Sequence, residues 1–226
     1  MNLCVIPARG GSKRIPHKNI KDFLGNPIIS YSIKAALSSK VFDEVIVSTD
    51  SEEIAEVARK FGAKTPFLRD ANLSDDFTST GDVIKDACIK MGDKFKTVCC
   101  LYPTAPLLKG EVLNEAYNKF KASECEYLFS VCEFSFPIQR AIKIDLNGKA
   151  SMFYPEYNST RSQDLEPAYH DAGQFYFGKR DAWLQGKWVF KPHSKVFILK
   201  RNLVCDIDTI EDFEFAKKLY KINHGL

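Results

Sequence analysis

"LCVIPARGGSKRIPHKN", residues 3–19, decides how this chain is read. Leu3 to Ile6 is a short apolar run of the kind that forms a buried strand. It passes directly into a loop holding Gly10, Gly11 and Ser12 among the cations Arg9, Lys13, Arg14 and Lys18. In a parallel sheet, ligands sit beyond the carboxyl ends of the strands, which is where this loop falls. Glycines let a backbone approach a ligand closely and turn N–H groups toward an anion. Ser12 adds a hydroxyl donor, and the cations suit a polyphosphate. The spacing is neither G-x-G-x-x-G nor G-x-x-x-x-G-K-[ST], so the dinucleotide fingerprint and the Walker-type loop are both absent. A basic, solvated loop after an edge strand is the plainer alternative, and composition alone does not separate the two.

Working outward, strand-like and helix-like stretches alternate. Residues 2–6, 43–50, 96–101 and 126–133 read as strands, and 28–37, 51–62, 79–91 and 110–120 as helices. Ser51 is placed to cap the second helix. Such repetition predicts an α/β fold of three layers around a mainly parallel sheet. The rhythm breaks at 134. Residues 134–170 read as an inserted arm, with hairpin character around Asn147-Gly148 and a polar, irregular remainder. Strands return at 172–178 and 195–200. The chain then closes with a short acidic strand, "CDID" from Cys205 to Asp208, and a helix capped by Thr209 with Asp212 at its third position.

Composition bounds the classes. A chain of 226 residues, 45% hydrophobic, suits a single domain over 1–226 that includes the arm. With 32 Lys+Arg against 29 Asp+Glu, the net charge of +3 does not indicate nucleic acid as a partner. No apolar run approaches the roughly 20 residues of a membrane span, and no signal-peptide pattern opens the chain. Seven cysteines without C-x-x-C spacing, several in strand-like runs, suggest a reduced, cytoplasmic protein rather than a disulfide or zinc scaffold.

The opening stretch also resembles the signature of the CMP-sialic acid synthetase family, cytidylyltransferases that activate acidic 2-keto sugars. Ala8, Arg9, Ser12, Lys13, Ile15, Lys18 and Asn19 match a pattern close to [LI]-x-A-R-x-x-S-K-x-[IL]-x-x-K-N. The resemblance continues through "FDEVIVSTDSEEIAEVARKFGA", "LRDANLSDDFTST", "LYPTAPL" and "DIDTIEDF". It implies a Rossmann-like nucleotidyltransferase fold, with the loop from Ala8 through Gly10, Gly11, Ser12 and Lys13 to Lys18 and Asn19 wrapping the triphosphate of CTP. It implies that Arg69, Thr78 and Thr80 lie near cytosine and ribose. It also implies that the arm joins a homodimer and reaches the neighbour's site.

Asp206 and Asp208 flank Ile207, and on a strand residues i and i+2 face the same way. Two carboxylates beside a triphosphate are hard oxygen donors suited to Mg²⁺, and the resemblance assigns the metal to this pair. A solvated acidic turn is the alternative. The implied chemistry is attack by the sugar's anomeric oxygen on the α-phosphorus of CTP, with pyrophosphate leaving. Asp206, Asp208, Arg9 and Lys18 are the candidate catalytic residues, and the general base stays open.

An acidic sugar calls for a cation, and Arg140 and Arg161 are candidates, with Gln139, His170, Asp171, Tyr102 and Tyr176 as further sugar contacts. Gly173 and Tyr176 match the family's N-G-x-x-Y motif, but Ala172 replaces its asparagine, Tyr102 replaces a glutamine and Arg14 a glycine. The combination "FPIQRA", "RSQD" and "YHDAGQFY" looks like the branch acting on pseudaminic acid. Sialic acid, legionaminic acid or a shorter keto acid is the nearest alternative. A non-catalytic nucleotide-sugar-binding module is another, against which the acidic pair and Lys18 stand. Trp183, Trp188 and Phe190 read as packing or interface residues.

Overall fold

Successive side chains of β1 (Asn2–Pro7) point to opposite faces, and both faces are covered. Cys4 and Ile6 enter one core, Leu3 and Val5 another. A strand apolar on both sides requires helices on both sides. The computed structural model, which describes residues 1–226, has that three-layer form.

The chain proceeds from β1 through the small hairpin β2 (Asp22–Phe23) and β3 (Asn26–Pro27) to α1 (Ile29–Ser38) and β4 (Glu44–Ser48). Next come α2 (Glu52–Lys60), α3 (Thr80–Lys90), β5 (Thr97–Leu101), α4 (Gly110–Lys121) and β6 (Tyr127–Glu133). The hairpin β7 (Ile142–Ile144) and β8 (Ala150–Met152) follows, then β9 (Tyr169–Lys179), α5 (Arg180–Leu184), β10 (Ser194–Leu199) and α6 (Ile210–His224). The main sheet has the order β10-β6-β9-β5-β1-β4. All its pairings are parallel except those of β9, which runs antiparallel to both β5 and β6. The reason is geometric. The segment between β6 and β9 supplies no crossover helix, so the chain re-enters the sheet from the end at which it left.

Helices α1, α2 and α4 close one core through Ile33, Ala58 and Leu113, while α3 and α5 close the other through Ile84, Ala87 and Trp183. A third cluster seats α6 on the β2–β3 hairpin, with Phe213 edge-on to Phe23 at 5.6 Å between centroids. Ser51 accepts the N–H of Ile54, as its position in sequence predicts. At the start of α6 the capping box is complete. Thr209 accepts the N–H of Asp212, and Asp212 accepts that of Thr209.

Two local expectations change. Residues 205–208 form no strand, because no neighbour offers them a ladder. The segment keeps an inside–outside alternation, with Ile207 fully buried and Asp206 exposed. The β7–β8 turn is also longer than a two-residue Asn-Gly turn. Gly148 donates to Asp145 and adopts φ 77°, the geometry of a type I turn followed by a left-handed residue. Around this hairpin large apolar side chains face solvent: Phe136 is 81% exposed and Leu146 fully so. No helix is long and apolar enough to cross a membrane.

Candidate active site

The loop after β1 turns at the carboxyl edge of the sheet, against the N-terminus of α2. Gly10 is glycine for reasons of space: a Cβ there would lie 3.2 Å from that of Ser51. Its N–H is already committed, donating to Asp50 Oδ1 at 2.8 Å, so it is not a free anion donor. Gly11 faces open space, with nothing within 4 Å of a built Cβ. Ala8 is wholly buried and packs into a core. Asn19 fixes the far end of the loop by donating to the carbonyl of Arg9 at 2.9 Å. Between these fixed points a cleft of about 360 Å³ opens. Arg9, Ser12, Lys13, Arg14, Lys18 and Asn19 line one side, and Arg69, Thr78, Thr80 and Tyr102 the other.

Arg69 is almost fully buried, 3.8 Å from Asp50 and donating to Ser74 Oγ at 3.2 Å. Burial lowers its pKa from the usual arginine value, and Asp50 opposes that shift. The loop between Arg69 and α3 is held by Asp75, whose carboxylate accepts from Phe77 N, Thr78 N and Thr78 Oγ1. Asp76 is thereby turned toward the opening loop. It accepts from Arg9 at 2.7 Å and from Lys13.

The acidic segment reaches the same loop from the other end of the chain. Lys18 Nζ donates to the carbonyl of Ile207 at 2.7 Å and lies 3.8 Å from Asp208 Oδ1. Arg14 pairs with Asp208 at 2.7 Å. The backbone N–H of Asp208 is tied at 3.1 Å to Asp212, so the helix cap also sets the position of this aspartate. Burial lowers the Lys18 ammonium, with Asp208 acting against the shift. Burial raises the carboxyl of Asp206, and the like charge of Asp208 raises it further. Although the strand is missing, the two aspartates therefore sense each other and the same lysine.

A second cavity, of about 350 Å³, shares Thr80 and Tyr102 with the first. It forms where β9 bulges. Phe129 pairs with Tyr176, but the next pair is Val131 with Asp171. Gly173, at φ +59°, makes that excursion and donates its N–H to Asp171 at 3.0 Å. Tyr176 donates its hydroxyl to the other oxygen of Asp171. Burial drives the Tyr176 phenol far up and that of Tyr102 up to about 12, so both stay neutral donors. Gln174, within the bulge, donates to the carbonyl of Leu203 at 2.7 Å and ties β9 to the stretch before Asp206.

Of the residues singled out from sequence, Arg9, Ser12, Lys13, Lys18, Asn19, Arg69, Thr78, Thr80 and Tyr102 line the first cleft, while Asp171 and Tyr176 line the second. Nine others line neither: Ala8, Gly10 and Gly11 belong to the loop itself, Asp206 and Asp208 to the acidic segment that meets Lys18 and Arg14, and the remaining four to the arm and the start of β9. Gln139 donates to the carbonyl of Glu166, Arg140 to that of Thr160, and Arg161 pairs with Asp164, all within the arm. His170 packs edge-on against Phe134, since neighbouring residues on β9 face opposite ways and Asp171 takes the cavity side. The sequence reading missed the far wall of the second cavity, Lys85, Trp188 and Phe190. The only signal was the exposed-looking pair of aromatics in "KWVFK". It also missed Asp76, which stood in a quoted motif without a role.

A profile of the family described as Cytidylyltransferase matches residues 3–223. A "Pseudaminic acid cytidylyltransferase" of Campylobacter jejuni is 58% identical over 226 residues, covering 99% of this chain and 97% of the relative. A "CMP-N,N'-diacetyllegionaminic acid synthase" of Legionella pneumophila is 34% identical, covering 98% and 97%. Among solved structures, a CMP:2-keto-3-deoxy-manno-octonic acid synthetase complexed with CTP superposes with a TM-score of 0.73 at 18% identity. It covers 100% of this chain and 99% of its own, and establishes the likeness of fold.

Proposed function

The chain belongs to the cytidylyltransferase family, and from that membership we infer that it transfers CMP from CTP to the anomeric oxygen of pseudaminic acid, releasing pyrophosphate. The supporting identity extends over nearly the whole of both chains at 58%, against 34% for the legionaminic acid synthase. The observation that carries the catalytic reading is the meeting of the opening loop and the acidic segment through Arg14 and Lys18, which a binding module would not require.

Arg9, Lys13 and Lys18 hold the triphosphate in line for attack and neutralise the charge gathering on the leaving pyrophosphate. Gly11 leaves room for that close approach, and Arg69, Thr78 and Thr80 hold the nucleoside side. The sugar occupies the second cavity, where Tyr102, Asp171 and Tyr176 supply hydrogen bonds and Trp188 and Phe190 an apolar wall. Pseudaminic acid carries two acylamino groups where sialic acid has mainly hydroxyls, so mixed polar and aromatic lining suits it. Asp206 and Asp208 are the residues that would hold Mg²⁺. Their oxygens are the hard donors this ion takes, and the Asp206 carboxyl is raised first by burial and then by the like charge of Asp208, both of which a cation would offset. When bound, the ion neutralises phosphate charge.

The chain acts as one domain with residues 134–170 as a dimer arm, and Gln139, Arg140, Arg161 and His170 serve the site of a second copy. The exposed apolar side chains of the arm support that reading. Seven unpaired cysteines are in keeping with the reducing cytoplasm.

The test is product identification. Purified protein with CTP, Mg²⁺ and pseudaminic acid should yield a CMP–sugar conjugate by mass spectrometry and one pyrophosphate per conjugate. CTP binding without any conjugate, across a panel of keto sugar acids, would establish a binding module instead.

A further inference from the structure

Asp76 occupies an unusual position for a carboxylate in a site built for anions. One of its oxygens accepts from Arg9 at 2.7 Å, the other from Lys13, so it bridges the two cations as two oxygens of a phosphate would. Arg9 also donates to the carbonyl of Asp75 at 2.8 Å. These bonds hold the Asp76 carboxyl below the ordinary aspartate range. The placement has a cause in the loop itself. Asp75 folds back to accept the N–H groups of Phe77 and Thr78 and the Thr78 hydroxyl, which leaves Asp76 directed at the opening loop. The same loop carries Thr78 into the cleft, and Thr80 follows at the start of α3.

We propose that Asp76 is an internal competitor for the triphosphate seat, a specificity-determining residue that makes binding at Arg9 and Lys13 conditional on the charge of the incoming phosphates. The proposal rests on the reading that these two cations receive the triphosphate of CTP. A chain of three phosphates outbids one carboxylate for the pair of cations. Pyrophosphate, once separated from the nucleoside, lacks the contacts at Arg69 and Thr80 and faces the carboxylate's return. Asp76 therefore weakens CTP binding modestly and favours departure of the product. CMP, which has no β- or γ-phosphate, is indifferent to it.

Titration calorimetry with CTP, pyrophosphate and CMP, in the same Mg²⁺ buffer, tests this on four proteins: wild type, Asp76→Asn, Asp76→Glu and Arg9→Ala. Exposed ion pairs are individually weak, so removing the charge of Asp76 should tighten CTP and pyrophosphate by about three- to tenfold. CMP should be unchanged, Asp76→Glu should stay near wild type, and pyrophosphate should become a stronger product inhibitor of Asp76→Asn. Unchanged or weaker CTP binding in Asp76→Asn, with weaker binding in Arg9→Ala, overturns the competitor role while leaving the triphosphate seat intact. CTP binding unaltered in both variants overturns the seat itself. Equal tightening of CMP also counts against the proposal, since the effect would then not depend on the outer phosphates.

Discussion

The loop after β1 and the arm after β6 both present cations, but they use them differently. In the loop, Arg9 meets Asp76, Arg14 meets Asp208 and Lys18 meets Ile207, so residues from the middle and end of the chain converge on its start. In the arm, Arg140 meets Thr160 and Arg161 meets Asp164, while Phe136, Leu146 and Phe153 face solvent. The loop is completed by its own chain. The arm pairs its two arginines locally, leaves the Gln139 amide oxygen without a partner and leaves apolar side chains uncovered, as expected of a segment finished by another molecule. Variants on the two sides should therefore fail in different ways.

The largest effect belongs to the loop side. Asp208→Ala should reduce kcat by roughly 10²–10³-fold, with thermal unfolding nearly unchanged because this carboxylate is not part of a core. Pyrophosphate release with saturating CTP and sugar reads the loss, and chelation of divalent ions should reproduce it in the wild type. Near-normal turnover in the variant would remove Asp208 from the chemistry. On the arm side, Arg161→Ala should raise KM for the sugar by about 10- to 100-fold, the worth of a charged hydrogen bond, and leave CTP affinity alone. In the proposed dimer, mixing the Asp208→Ala and Arg161→Ala proteins should restore about a quarter of wild-type kcat/KM, read at sugar well below KM, because half of the sites in mixed dimers would unite an intact loop with an intact arm. No recovery on mixing would mean that each site is built from one chain.

Smaller effects refine the contrast. Phe153→Asp should shift sedimentation toward monomer and lower kcat/KM by about tenfold, since an ionised group is costly in a buried interface. Thr209→Ala should cost about 1 kcal/mol of stability as a lost helix cap. Its pH dependence follows from Asp212, whose carboxyl is held below the ordinary value chiefly by the Thr209 hydroxyl. That contribution is complete above the unfolded pKa and disappears as pH falls through the lower folded one. The gap between wild type and Thr209→Ala in urea midpoints should accordingly narrow from pH 7 to pH 3.

The same contrast explains what could be read from sequence. The parallel strands were legible because Leu3–Ile6 and Val98–Leu101 are continuously apolar and bounded by turns. The α2 and α6 caps were legible because Ser51 and Thr209 precede periodic apolar residues. The antiparallel course of β9 was not, since direction is fixed by where the irregular stretch before it returns the chain. The expected strand through Asp206 and Asp208 is absent, and the segment meets the opening loop through Lys18 at Ile207 and Arg14 at Asp208. Gly10 was read as an anion donor because its type and place allow it. Only the fold reveals that Asp50 takes that N–H. The aromatic wall of Trp188 and Phe190 carried no pattern of its own, as its meaning depends on the bulge at Gly173 on another element.

The most direct test of the account is a comparison of kcat/KM for pseudaminic, legionaminic and N-acetylneuraminic acids, from initial rates of pyrophosphate release at fixed CTP and Mg²⁺. The account predicts a preference for pseudaminic acid of at least about 10²-fold, the scale of unpaired polar groups in a mismatched pocket. Equal rates, or a preference for either other sugar, would contradict it.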